Sequence, residues 1–384
     1  MQLDSFWRKS QPVLISTIVA TLVVMAIAFR LYSYTFAGNI TGFFHIGNVL
    51  PLSPYLQGQD VLVNPSGGYD GQMFLSLALD PFLQADGTIQ ALDNPPYRYR
   101  RILYPLLGYF LGFGNSQFIP YALVAINCFS IISIVFFIGL TIHHYKSSIS
   151  IYQSLFALTV PGVWIVLSLS TADLLNNLFL VVAIYFYRSF RPVYTTTLLA
   201  AACLTRETTL LIWLAFIATS FYEQKWQQLK HLFWAWIPLG IWSLYVAKRL
   251  PPQPTDLKIE GFDFFLAGIL KKFLFSIKMG PIIGNLVEVG AFILLISVLL
   301  TGLFILYKQP QNNQIILSNT LIYSLIFSVS SMGILMFQQG YNRVFVGAYF
   351  LLLLTLSPQL SFLKVAIATF ASVITAKYLI DLLV

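Results

Sequence analysis

Apolar runs of about 18 to 22 residues recur along the whole of this chain, each long enough to cross a hydrocarbon layer of about 30 Å. Peptide groups cannot be left bare in lipid, so such runs fold as helices or as strands of a closed barrel. Their continuous apolar character, without strand-like alternation, selects helices. Only 9% of the residues are charged and 58% are hydrophobic, whereas soluble domains carry about 25% charged residues. The expected fold class is an all-α polytopic membrane protein with about 11 transmembrane helices, forming one transmembrane domain over 1–384. The first run, about Pro12 to Tyr32, follows Trp7-Arg8-Lys9 and begins like a signal peptide. It is too long for a signal-peptide core and lacks a small-residue cleavage site, so it reads as a retained helix.

The runs fall near 12–33, 118–142, 150–168, 174–190, 193–204, 208–222, 231–249, 286–307, 315–336, 343–357 and 362–383. Ile102 to Gly114 is apolar but short, with Pro105 near its start, and reads as re-entrant or surface-lying. With that segment not crossing, one side carries Arg8, Lys9, Lys146, Arg188, Arg191, Lys225, Lys230, Lys308 and Lys364, with only Asp4 and Glu223 as acids. Short basic loops mark a cytoplasmic face, so the N-terminus is expected inside. The opposite face collects nearly all the acids and both long loops, 34–101 and 250–285; Asp256, Lys258 and Glu260 lie in the second. The net charge of +8 is ordinary for such a protein and gives no reason to expect nucleic acid. Cys128 and Cys203 both lie in apolar runs, so no disulfide framework is implied.

The first long loop holds Gly67-Gly68-Tyr69-Asp70-Gly71-Gln72, in which glycines flank an acid and free the backbone for a tight turn or a ligand's close approach. Met73 to Leu79 reads as a short amphipathic helix on the membrane surface, ended by Asp80-Pro81. Asp70 then stands at its start, as a helix cap or as a functional acid. Arg98-Tyr99-Arg100-Arg101 follows, either as an interfacial anchor or as a phosphate site, since guanidinium groups bind phosphate with paired donors. Arg206-Glu207 splits two short apolar halves, and Gln338-Gln339-Gly340-Tyr341-Asn342-Arg343 brings a lone arginine to the same side. Arg206-Glu207 reads either as a self-neutralised turn at the boundary or as a guanidinium and a carboxylate at the mouth of a cavity, where charges at membrane depth are functional by default. Ser170-Thr171-Ala172-Asp173 reads as a helix cap. His45, His143, His144 and His231 show no zinc spacing, and neither a nucleophile elbow nor a P-loop is present. Asn39-Ile40-Thr41 fits a glycosylation sequon, a pattern frequent by chance.

Tyr69-Asp70-Gly71-Gln72 with Ala78-Leu79-Asp80-Pro81, Arg101-Ile102-Leu103-Tyr104-Pro105 and Thr205-Arg206-Glu207 together resemble the GT-C superfamily of polytopic glycosyltransferases, and are similar to bacterial members of cell-surface glycopolymer formation. The resemblance implies a long first outer loop with surface-lying helices and an essential acid, and a sugar taken from a polyprenyl-phosphate donor. The acceptor would be a glycan, lipid or protein outside a bacterial inner membrane. The acid maps onto Asp70; where members carry adjacent paired acids this chain has only Asp80, ten residues on.

A lipid-phosphate donor needs cations to hold the phosphate and one carboxylate to take the proton of the attacking hydroxyl. The expected roles are Asp70 as base and Arg98, Arg100, Arg101, Arg206 and Arg343 as phosphate ligands. Glu207 would orient Arg206, Asp80 would be a supporting acid, and Tyr69, Gln72 and Tyr341 would contact sugar or acceptor. No particular cofactor is implied; a divalent metal stays open, without a second acid clearly placed to share it. Two other readings remain at this level. One is a transporter or flippase of lipid-linked sugars, because transporters also break helices around buried charges. The other is a scaffold of envelope assembly with a degenerate site.

Overall fold

The structure is a computed structural model describing residues 2–65, 67–145, 150–250, 261–280, 283–308, 313–356 and 361–383. Lys146, Asp256, Lys258 and Glu260 lie outside those residues, as does much of the expected 250–285 loop. The described residues form an all-α protein with one two-residue parallel strand pair, β1 (Ile46–Gly47) and β2 (Val63–Asn64). Helix α1 (Gln2–Arg30) runs into a π-helical turn, Leu31–Thr35. The expected first loop folds into α2 (Asp70–Leu79), α3 (Asp86–Gln90) and α4 (Pro95–Tyr99). Next come α5 (Leu103–Leu111), α6 (Ile119–His144), α7 (Pro161–Leu169), α8 (Asp173–Arg188), α9 (Pro192–Thr205) and α10 (Thr209–Tyr222). They are followed by α11 (Trp226–Leu232), α12 (Ile237–Arg249), α13 (Ala267–Met279), α14 (Ile283–Lys308) and α15 (Gln314–Val329). The last four are α16 (Met332–Leu335), α17 (Gln338–Val344), α18 (Val346–Leu354) and α19 (Ser361–Leu383).

Among the described residues, four helical stretches are long and apolar enough to cross a membrane: Gln11–Thr35, Ile119–His144, Gly284–Ile305 and Ser361–Leu383. The others are cut short by identifiable breaks. The run expected at 150–168 is a 3₁₀ segment, Ile151–Thr159, joined to α7 at a 55° bend. Pro161 lacks an N–H and holds Val160 extended, so the helix cannot run through. The run at 231–249 divides into α11 and α12, and 315–336 stops at Val329 before the single turn of α16. Helices α9 and α10, 14 residues each, are about 21 Å long, short of a full crossing. Helix α5, at nine residues and about 14 Å, is shorter still, in keeping with a segment that does not cross.

The first loop differs from the expected surface-lying arrangement. Every residue of α2 from Gly71 to Leu79 is buried, so α2 is a core helix and not an amphipathic one on a surface. It packs against α5 and α6, with Phe74 edge-on to Tyr104. Gly71 and Gly68 also differ from the expected ligand-facing turn. A Cβ on Gly71 would meet the Leu169 carbonyl oxygen at 2.2 Å and that of Phe44 at 2.9 Å. Gly68 lies against the Gln72 side chain, so both glycines admit neighbouring protein rather than a ligand.

Candidate functional site

Tyr69 is extended and Asp70 is the first helical residue of α2. The Asp70 side chain caps no backbone N–H of its helix; both its oxygens turn to arginines instead. Asn94 caps α4 by accepting the Tyr97 N–H at 3.1 Å, and Pro95 and Pro96 preset its first turn. The three-residue spacing then carries Arg98 and Arg101 to the buried side and leaves Arg100 exposed. Helix α9 ends where Arg206 adopts an extended conformation. Glu207 already belongs to the turn that enters α10, its carbonyl accepting the Leu210 N–H at 3.0 Å. Helix α17 supplies Arg343.

These segments assemble a chain of alternating charges. Asp93 accepts two bonds from Arg98, Nε at 2.8 Å and Nη2 at 2.6 Å. Arg98 Nη1 lies 2.9 Å from Asp70 Oδ1, and Arg343 Nη1 donates to Asp70 Oδ2 at 2.5 Å. Arg343 Nε lies 3.7 Å from Asp173, which also pairs with Arg206 and accepts the Thr171 hydroxyl at 2.7 Å. Beside this chain Arg101 holds Glu207 through two bonds, 2.8 Å and 2.7 Å, and donates to the Tyr97 hydroxyl. Glu207 therefore orients Arg101 and not Arg206.

Burial alone would raise the Asp70 carboxyl, but Arg343, then Arg98 and Arg101, hold it far below the usual carboxylate range. Burial likewise opposes ionisation of Glu207, and Arg101 overrides it, lowering that carboxyl too. Five arginines (Arg98, Arg100, Arg101, Arg206 and Arg343) meet four carboxylates (Asp70, Asp93, Asp173 and Glu207), leaving one positive charge. Arg100 makes no ion pair among the described residues. Arg206 Nε and Arg343 Nε are buried without a hydrogen-bond partner. The site thus keeps unused guanidinium donors, the chemistry that receives an anion.

A cavity of about 760 Å³ opens beside this cluster. Its lining includes the charged residues Asp93, Arg98, Arg100, Arg101, Arg206 and Glu207 together with the apolar Phe262, Ile326, Ile334 and Phe345. Asp70 and Arg343 do not line it; Arg98, which does, joins them to it.

The remaining expected residues divide. The ring of Tyr69 lies 4.9 Å from the Arg343 guanidinium, and its hydroxyl donates to the Gln339 carbonyl at 3.1 Å, so it borders the cluster. Gln72 is buried and accepts the Gly47 N–H at 3.1 Å, a contact that holds the fold and not a sugar. Tyr341 is buried against Phe292 and donates to the Glu288 carbonyl at 2.9 Å, away from the cavity. Asp80 is also structural: it accepts the Gln84 and Ala85 N–H groups and the Thr88 hydroxyl. Asp173 starts α8 as a cap reading requires, yet its carboxylate serves Arg206 and Arg343. Its spacing with Asn176 and Asn177 is the signal for this, a polar stripe at helical period on an otherwise apolar helix. Asn176 accepts the Thr209 hydroxyl at 2.8 Å, tying the stripe to the start of α10. Among the described residues, no three His, Cys, Asp or Glu side chains gather as a metal site.

No protein-family model, curated protein or solved structure matches this chain.

Proposed function

We propose that the protein is an inverting glycosyltransferase of GT-C type, moving a sugar from a polyprenyl-phosphate donor to a glycan, lipid or protein acceptor of the cell envelope. On this reading the chain crosses a bacterial inner membrane about eleven times, with its N-terminus cytoplasmic and its site outside. One observation carries the reading: four arginines from three distant segments (Arg98 with Arg101, Arg206 and Arg343) converge at or beside a cavity whose lining combines guanidinium groups with apolar side chains. An amphiphile with an anionic head matches that polarity.

Arg98, Arg100, Arg101 and Arg206 would bind the donor phosphate and steady it as it leaves. The acceptor hydroxyl oxygen attacks the anomeric carbon while the carbon–oxygen bond to phosphate breaks, so the phosphate departs with the electron pair and the configuration inverts. The hydroxyl proton passes to Asp70, which does not line the cavity in the free protein and is opened to it when Arg98 moves onto the phosphate. In the free protein Asp70 is a weak base, because two arginines hold it. A phosphate that draws Arg98 away relieves one of them and restores basicity when the donor is bound.

A transporter of lipid-linked sugars draws on one observation, the helix break at Arg206–Glu207 beside the cavity. The deciding experiment follows a radiolabelled polyprenyl-phosphate sugar with the purified protein in vesicles, using envelope extract from cells lacking the protein as acceptor. A new glycosidic product, lost in Asp70→Asn, supports transfer. Donor movement without a new bond supports transport instead, and near-normal turnover in Asp70→Asn removes that residue from the base role.

A further inference from the structure

Helix α13 is turned inside out relative to a helix on a water-facing loop. Its inward stripe is polar or small: Gly268, Lys272 and Ser276 are buried at four-residue spacing. The opposite stripe is apolar and bare: Leu270, Phe273, Leu274 and Ile277 are exposed, Ile277 at 75%. Water does not favour that arrangement over more than one turn.

Specific contacts hold the inward stripe. Lys272, 1% exposed, donates to Glu288 at 2.9 Å and to the Met336 carbonyl at 2.5 Å. Gly268 lies against the Ser330 carbonyl, where any Cβ would collide. Ahead of the helix, Gly261 to Leu266 forms a strap across the end of α15: the Asp263 and Leu266 N–H groups donate to the carbonyls of Val329 and Ser328, at 2.8 and 2.6 Å. The orientation of α13 is therefore imposed from below, and its apolar stripe has nowhere else to turn.

Two further observations fix what lies opposite that stripe. The candidate membrane span Gly284–Ile305 begins five residues after Met279. Asn285, in its first turn, donates to the carbonyls of Ser276 and Gly280, at 2.8 and 2.6 Å, locking the end of α13 to the end of that span. Lys271 and Lys278, seven residues apart and so on one edge of the helix, border the apolar stripe. At 13 residues, about 20 Å, α13 is too short to cross the bilayer itself.

We propose that α13 and its strap lie in the membrane interface, with Leu270, Phe273, Leu274 and Ile277 among the acyl chains and Lys271 and Lys278 at the headgroups. The partner surface is the bilayer, and the amphipathic geometry is that of an interfacial helix. Because Gly261 and Phe262 line the cavity, this lipid-seated segment also forms part of the cavity wall. The inference holds whether or not the protein transfers sugars.

The test places a nitroxide at Leu270→Cys, Leu274→Cys, Ile277→Cys and Lys278→Cys in the full chain, reconstituted in phosphatidylcholine–phosphatidylglycerol vesicles. Cys128 and Cys203 are buried, and the labelled parent protein supplies the blank. Collision with oxygen, which concentrates in lipid, should exceed that at position 278 by about three-fold at the apolar positions, and collision with a water-soluble nickel chelate should be the weaker there. Nickel collision at 270, 274 and 277 equal to that at 278 would place the stripe in water and overturn the proposal. Weak collision with both reagents would show the face covered by protein, and would overturn it equally.

Discussion

Asp70 and Arg343, 273 positions apart in the chain, meet at 2.5 Å, and Arg98 closes on the other carboxylate oxygen at 2.9 Å. One carboxylate thus joins the first loop to the C-terminal third of the molecule. Removing its charge leaves two buried guanidinium groups facing each other. Asp70→Asn should lower stability by about 3 kcal/mol or more, the usual penalty for breaking a buried pair from one side. If Asp70 is the base of the proposed transfer, turnover should fall at least about 100-fold per folded molecule. Thermal unfolding in detergent read beside turnover separates the two effects; unchanged stability would mean that the pairing is not energetically important.

Stability should also depend on pH in a defined direction. Asp70 and Glu207 both have native carboxyl pKa values below their unfolded ones. Such groups contribute fully above the unfolded values of about 4, and the contribution falls as pH drops towards the native values. Read as the difference in unfolding midpoint from Asp70→Asn, the Asp70 contribution should therefore hold level above about pH 5 and shrink from about pH 4 downward. A difference already shrinking between pH 7 and pH 5 would contradict this assignment.

Glu207→Gln should destabilise the protein by about 3 kcal/mol, because buried Arg101 loses both carboxylate bonds. The double variant Arg101→Met with Glu207→Met should recover most of that loss, since an apolar pair leaves no charge unpaired. Chemical denaturation of the double variant beside Arg101→Met and Glu207→Met alone gives the coupling. Additive losses would show that the two residues do not act as a pair.

Asp80→Ala should cost about 3 kcal/mol through three lost bonds to the carboxylate. Turnover per folded molecule should be unchanged, because Asp80 serves the loop after α2. A selective fall in turnover, with unfolding unaltered, would return Asp80 to the site.

Gly71→Ala should destabilise by about 2 kcal/mol or more, as its methyl would enter space held by two backbone carbonyls. Gly67→Ala, with nothing within 4 Å of its added Cβ, should be nearly neutral. Expression and detergent-stable yield compare the two. Equal tolerance would mean that α2 is looser than its packing implies.

The helical character was legible in the chain, because lipid-length apolar runs leave few other ways to satisfy the backbone. Asp70, Arg98, Arg101, Arg206 and Arg343 also stood out in the chain, since charges are scarce in such a composition. Their partners were not legible. Glu207 follows Arg206 in sequence but serves Arg101, which lies 106 positions earlier in the chain. Asp173 looked like a cap because its arginines arrive from positions 206 and 343. Gln72, Asp80 and Tyr341, polar and close to the motif residues, turned to their own backbone surroundings.

By itself, then, the sequence determined a helical membrane protein with arginines and acids held in a few polar stretches. Apolar periodicity and charge scarcity are local properties, readable one segment at a time. Only the tertiary structure decided which acid neutralises which arginine, that α2 is core rather than surface, and that α13 faces outward with its greasy side. Each of these depends on contacts between segments tens to hundreds of residues apart, and no local pattern encodes their geometry.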